Sequence, residues 1–316
     1  MRDSTRGVAG FLAAAFGFTW ILAGLGALLG IRADSGLPYL VLAGACMLGP
    51  AAGAVVQARL REHRSWNWLG LGFKVTDWRI VAFTAVAGMI IMPLYLLVQH
   101  LLGDGLGMVR FGHVSFTAER MAASLSELAH QAGVQAGEEE SVLAGWPPWL
   151  VLAIIQFAAL LSACSVNLLF MLGEELGWRG YLWRATAHWS GMRRIAFTGA
   201  AWGLWHAPLI LMGHNYPGFP WIGVAMMVAF CALAAILFDW TRTRSGSIWS
   251  SALLHGIING SAGGVVLFAW GGHPLWGSPV GVAGFIALAT LALVVLLFDA
   301  RYRKGLLVAV GDQPAP

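Results

Sequence analysis

Long apolar runs separated by short polar turns dominate this chain, and eight of them are long enough for a membrane helix: 8–31, 37–58, 80–102, 149–173, 194–212, 220–240, 247–270 and 279–299. A hydrocarbon core of about 30 Å takes roughly 20 apolar residues of helix. Pro50 and several glycines loosen the ends of the second run. The first has the look of a signal peptide's apolar region, but it is too long and lacks a clean cleavage site, so it reads as a helix. The segment LALVVLLFDARYRK closes the eighth run on a basic stop. The one long connection is 103–148. Within it, Arg110 to Gly133 carries apolar positions at helical spacing, followed by Glu138, Glu139 and Glu140 and by Trp146-Pro147-Pro148. That pattern fits an extracytoplasmic loop that is either a solvated linker or a surface helix followed by an acidic turn. No internal repeat or low-complexity tract divides 1–316, so one all-α, polytopic membrane domain is expected.

Composition sharpens this picture. Hydrophobic residues make up 58% and charged residues 11%, with a mean hydropathy of +0.71. A soluble domain carries about a quarter charged residues, so a soluble enzyme is excluded, as is a disordered chain. Three cysteines are too few for a disulfide framework; Cys46, Cys164 and Cys231 lie in apolar runs and read as buried small hydrophobes. Sixteen Trp, 41 Gly and 12 Pro suit membrane helices and their interfaces. The net charge of +4 carries less information than where the basic residues fall, and no nucleic-acid partner is expected.

Cytoplasmic loops of membrane proteins are enriched in Lys and Arg. With eight spans, one side holds Arg2, Arg6, Arg59, Arg61, Arg64, Lys74, Arg79, Arg179, Arg184, Arg193, Arg194, Arg242, Arg244, Arg301, Arg303 and Lys304. The other holds only Arg32, Arg110 and Arg120. Sixteen of the 19 basic residues therefore sit on the side shared by both termini, which predicts a multi-pass protein of the cell membrane with cytoplasmic ends.

Ionisable groups inside a bilayer are costly and mark functional sites by default. GEELGWRG at the end of the fourth run brings Glu174, Glu175 and Arg179. WGLWHAP in the fifth brings Trp202, Trp205 and His206, and HGIING in the seventh brings His255 and Asn259. Glu175 and Arg179, four apart, can pair on one helix face, leaving Glu174 rotated about 100° away and free of that pair. His255 and Asn259 share a face in the same way. At 1.5 Å per residue, His206 lies about 18 Å past Arg194 and His255 about 12 Å past Ser247, so the set can meet in one cavity opening to the cytoplasm. A carboxylate with a nearby His can hold and deprotonate a water, and a second His with an Asn can stabilise an oxyanion. The same groups could instead bind a divalent metal. Taken singly, each His also serves as an interhelical hydrogen-bonding residue. Asn167, Gln156 and His100 read as packing or interface residues, Asp239 as an ion-pair partner near Arg242, and His188, His214 and His273 as solvated loop residues.

EELGWR fits an EExxxR motif, WGLWH an aromatic followed by His, and HGIIN an HxxxN motif, in order on successive functional helices. In these motifs the chain resembles the CPBP family of intramembrane proteases, also called the type II CAAX prenyl endopeptidase and bacteriocin-immunity family. The likeness covers about 149–270; residues 1–148 match only as additional membrane helices. The resemblance implies an intramembrane peptidase hydrolysing a peptide bond, with Glu174 as catalytic glutamate, His206 holding the water and His255 with Asn259 stabilising the oxyanion. Glu175 and Arg179 would shape the site. Trp202 stands where the motif usually has Phe, a change expected to alter wall packing more than chemistry. The glutamate scheme needs no metal; zinc held by Glu174, His206 and His255 is the alternative cofactor scheme. A composition rich in Ala, Gly, Arg and Trp points to a bacterial source, for which a peptide, pheromone-like or bacteriocin-related substrate is expected rather than a prenylated one. A transporter or immunity-type binding protein on the same fold is the rival function.

Overall fold

A computed structural model describes residues 2–72, 77–131 and 145–310. Lys74 and the acidic turn at Glu138, Glu139 and Glu140 lie outside the described residues. The described residues are predominantly helical. Helix α1 (Arg2–Leu28) is followed by α2 (Leu37–Cys46) and α3 (Gly49–Ala54), which continues as a widened π-helical segment over Val55–Arg61. Helix α4 (Trp78–His100) leads to the connection bearing β1 (His113–Val114) and α5 (Ala118–Gln131). Then come α6 (Pro148–Ala163), α7 (Val166–Glu175), α8 (Gly191–Trp205), α9 (Ala207–Leu211), α10 (Pro220–Ser245) and α11 (Ile248–Gly260). Helix α12 (Ala262–Phe268), β2 (Ala269–Trp270), the short α13 (Pro274–Gly277), α14 (Val282–Phe298) and α15 (Ala300–Gly305) complete it. Within the long connection lies the helix α5, and the only strand pairing among the described residues is the two-residue ladder of β1 with β2.

Six helical segments are long and apolar enough to cross a membrane, and the bent pair α6–α7 makes a seventh. At most half of each segment's apolar window is buried by the protein; Leu28, Trp221 and Phe298 are more than three-quarters exposed, as lipid-facing side chains are. Two expected spans are therefore not simple rods. The fourth bends by 63° between Ala163 and Val166. Ser165 leaves helical geometry there (φ −134°, ψ −100°), and its hydroxyl donates to the Leu161 carbonyl at 2.7 Å. The fifth is α8 followed by α9, with His206 at the break, and neither piece alone has spanning length. Pro208 in the first turn of α9 has no N–H to give the preceding turn. Helix α4 meets the same problem at Pro93: the Met89 carbonyl accepts 2.6 Å from the Gln156 amide on α6, which gives that expected packing residue a defined task.

Tight helix contacts are made by small residues. A methyl group on Gly199 or Gly203 of α8 would lie 2.5 or 2.4 Å from backbone of α10, and one on Gly177 would lie 2.4 Å from Pro50 of α3. Thus α3 wedges against both α1 and the segment following α7. Three of the basic residues expected in cytoplasmic loops, Arg179, Arg194 and Arg242, are buried instead. Arg194 makes a two-pronged pair with Asp239 at 2.8 and 3.1 Å, and Trp183 and Tyr302 also donate to that carboxylate. Asp239 was expected to pair with Arg242; that guanidinium donates to the Arg179 carbonyl at 3.0 Å. Removing one partner of a buried ion pair costs about 3–5 kcal/mol. Cys46 and Cys231 are buried as expected, whereas Cys164, at the α6–α7 bend, is exposed. His188 is exposed, while His214 and His273 are half-buried against Tyr39 and Phe219.

Candidate active site

Three helices bring the polar set together. Glu174 and Glu175 end α7, after which the helix widens into a π-helical turn over Leu176–Leu182. Such widenings cluster at functional sites because they re-aim side chains. Trp202 lies on the last turn of α8, and His206 sits at the break before α9. His255 and Asn259 lie on α11, whose start is capped by the Ser247 hydroxyl accepting from Trp249 N–H.

Trp202 is the hub of the arrangement. Its indole N–H donates to Glu174 Oε2 at 2.8 Å, and its carbonyl is 2.8 Å from His206 Nδ1. A carbonyl only accepts, so Nδ1 of His206 carries the proton and Nε2 keeps the lone pair in the neutral ring. The Trp202 ring meets His255 edge-on with centroids 5.4 Å apart, and the Arg179 guanidinium lies 4.4 Å over it. His255 turns Nδ1 to Glu175 Oε1 at 2.9 Å, and Arg179 Nη1 donates to the same oxygen at 3.1 Å. The expected Glu175–Arg179 pair is present, and it holds an imidazole as well. Glu174, Glu175, Arg179 and His255 are all buried, and His206 is half-buried. Asn259 is more exposed; its amide donates to Met171 Sδ at 3.4 Å, a weak acceptor that leaves it available to a better one.

The structure thus links Glu174, Trp202 and His206 in one chain of hydrogen bonds and Arg179, Glu175 and His255 in another, with Trp202 packed against both. Asn259 stands one turn beyond His255, on Met171 of α7. Trp202 does more than line a wall, since Phe could not donate to Glu174. Phe238 of α10 was not foreseen: its ring packs edge-on to Trp202 and His255 and lies 4.3 Å under Arg179. An aromatic inside a long apolar run carries no distinguishing signal in sequence. Among the described residues no group of three or more His, Cys, Asp or Glu is placed to hold a metal ion.

No curated protein matches the chain. Residues 145–261 match the family described as Type II CAAX prenyl endopeptidase Rce1-like, and this stretch contains Glu174, Glu175, Arg179, Trp202, His206, His255 and Asn259. That match supports a membrane endopeptidase of the CAAX type in general. Over these helices the chain is similar to the type II CAAX prenyl endopeptidase family, in line with the CPBP resemblance carried by its three motifs.

Proposed function

We propose that this protein is an intramembrane endopeptidase that hydrolyses a peptide bond with water activated by Glu174 and His206. The observation that carries the reading is the convergence of Glu174, Trp202 and His206 beside the Glu175–His255 pair. With Oε2 of Glu174 engaged by Trp202, Oε1 faces the water, and His206 Nε2 accepts the water's second hydrogen bond. Glu174 takes a proton as the water oxygen bonds to the scissile carbonyl carbon. The resulting oxyanion receives hydrogen bonds from Asn259 Nδ2 and from His255 Nε2, a donor role that requires the His255 ring to hold both protons. Glu174 then returns its proton to the leaving amine as the C–N bond breaks. Glu175 and Arg179 hold the His255 ring through Nδ1. The substrate is a peptide or protein segment at the membrane, and both termini of the chain lie in the cytoplasm.

The test is cleavage of two quenched-fluorescence peptides in proteoliposomes, one ending in a farnesylated CAAX sequence and one with the same sequence unmodified. Wild-type protein cleaves at least one. Glu174→Ala loses at least about a hundredfold in turnover, as removal of a positioned acid–base group does. A strong chelator leaves the wild-type rate unchanged. Wild-type turnover by Glu174→Ala would end the proposal. Activity lost to the chelator and restored by zinc would replace the metal-free scheme with a metal scheme.

A further inference from the structure

The break at His206 is held from outside the family segment. Trp205, the residue before it, is 1% exposed. Its indole N–H donates to the Thr19 hydroxyl of α1 at 2.9 Å, and its carbonyl accepts from the Trp20 indole at 3.3 Å. Thr19, fully buried, passes its own hydroxyl proton to the Cys46 carbonyl at the end of α2, again at 2.9 Å. That hydroxyl therefore accepts from Trp205 and donates to a neighbouring helix, tying the two together. The contact is close-fitting, since a methyl group on Gly49 of α3 would meet the Thr19 oxygen at 2.1 Å. The Trp205 ring in turn packs edge-on against His206, with centroids 4.7 Å apart. A helix broken near a proline has weakened local support, and here a helix 185 residues away in sequence supplies it.

We infer that Thr19 and Trp20 are positioning residues for His206, acting through Trp205, so that α1 forms part of the active-site frame although it lies outside residues 145–261. This rests on the proposed role of His206. Neither residue touches the reacting atoms. Their effect is to fix the Trp205–Ala207 turn, and with it the direction of the His206 ring. Small misplacements of a reacting group cost rate steeply.

Two measurements on the full-length protein in nanodiscs test this. The first is backbone hydrogen exchange across residues 203–212, which needs no substrate. Thr19→Val keeps the side-chain shape and removes the hydroxyl; Trp20→Phe removes the indole N–H. Each should speed exchange in this stretch about tenfold or more, while Thr19→Ser, which restores the hydroxyl, exchanges like wild type. Unchanged exchange in both Thr19→Val and Trp20→Phe overturns the inference. So does Thr19→Ser behaving like Thr19→Val, which would make the site one of packing alone. The second is turnover of the cleaved fluorogenic peptide: kcat should fall roughly tenfold to a hundredfold with KM nearly unchanged. A rise in KM at constant kcat overturns the positioning role. If Thr19→Val fails to fold, Trp20→Phe carries both measurements. His206→Ala with full turnover would remove the proposed reaction, while the exchange data would still decide whether α1 holds the break.

Discussion

Trp202 stands where an aromatic with no polar atom would satisfy the motif, yet its indole N–H is the one side-chain donor hydrogen-bonded to Glu174 among the described residues. A hydrogen bond to a charged group contributes about 1.5–3 kcal/mol. Trp202→Phe should therefore keep the ring contacts with His255 and Phe238, leave Glu174 less well oriented, and lower kcat roughly tenfold. Thermal unfolding alongside peptide turnover checks this, and an unchanged kcat would show that the bond plays no part in the reaction. At this scale the sequence is legible where chemistry is local. The four-residue spacing of Glu175 and Arg179 foretells their ion pair. It does not foretell that His255 joins it, because that contact depends on how α7 meets α11. Asp239 makes the same point: its sequence neighbour Arg242 is the obvious partner, but Arg194 of α8 takes the role across the α8–α10 contact.

Helix existence follows from apolar length, whereas helix interruption depends on single residues that length does not weigh. Pro93 and Pro208 are visible as interruptions, but the side chains that bond the backbone near them, Gln156 to Met89 and Trp20 to Trp205, come from other helices. The bend after Ala163 has no proline or glycine at Cys164 or Ser165 to announce it. The close packing of α8 on α10 is more readable, because Gly199 and Gly203 are four apart and present one bare stripe. Gly203→Ala would place a methyl group 2.4 Å from Val228 Cα, a backbone atom that cannot swing aside. Overpacking of this kind costs about 1–3 kcal/mol. A lower thermal midpoint in detergent is expected, with some loss of turnover because Trp202 and His206 sit on the same contact. An unaltered midpoint would mean that α8 and α10 are held apart by more than the structure indicates.

At the scale of the whole molecule, the loops gather into two sets. The 65–72 turn touches Arg184 and the start of α11 through Trp68 and Leu71, and residues 187–192 bond to 306–310. At the other end, β1 pairs with β2, Arg110 bonds to His273, and Ala33 bonds to Met212. The first set carries most of the basic residues and the second carries Arg32, Arg110 and Arg120, so charge and contacts divide the loops alike. Lys and Arg concentrate in cytoplasmic loops, so this division is the basis for the expected orientation. The expected outcome is that Asn67 and Leu307 face the cytoplasm and Glu119 faces the opposite side. Cys164→Ser removes the exposed native thiol and leaves Cys46 and Cys231 buried, giving a quiet background for single cysteines at those three positions. A membrane-impermeant maleimide added to intact cells should label Glu119→Cys and spare Asn67→Cys and Leu307→Cys until the membrane is opened. Labelling of Asn67→Cys from outside would invert the protein, and labelling of Asn67→Cys and Glu119→Cys from the same side would remove the eight-span arrangement.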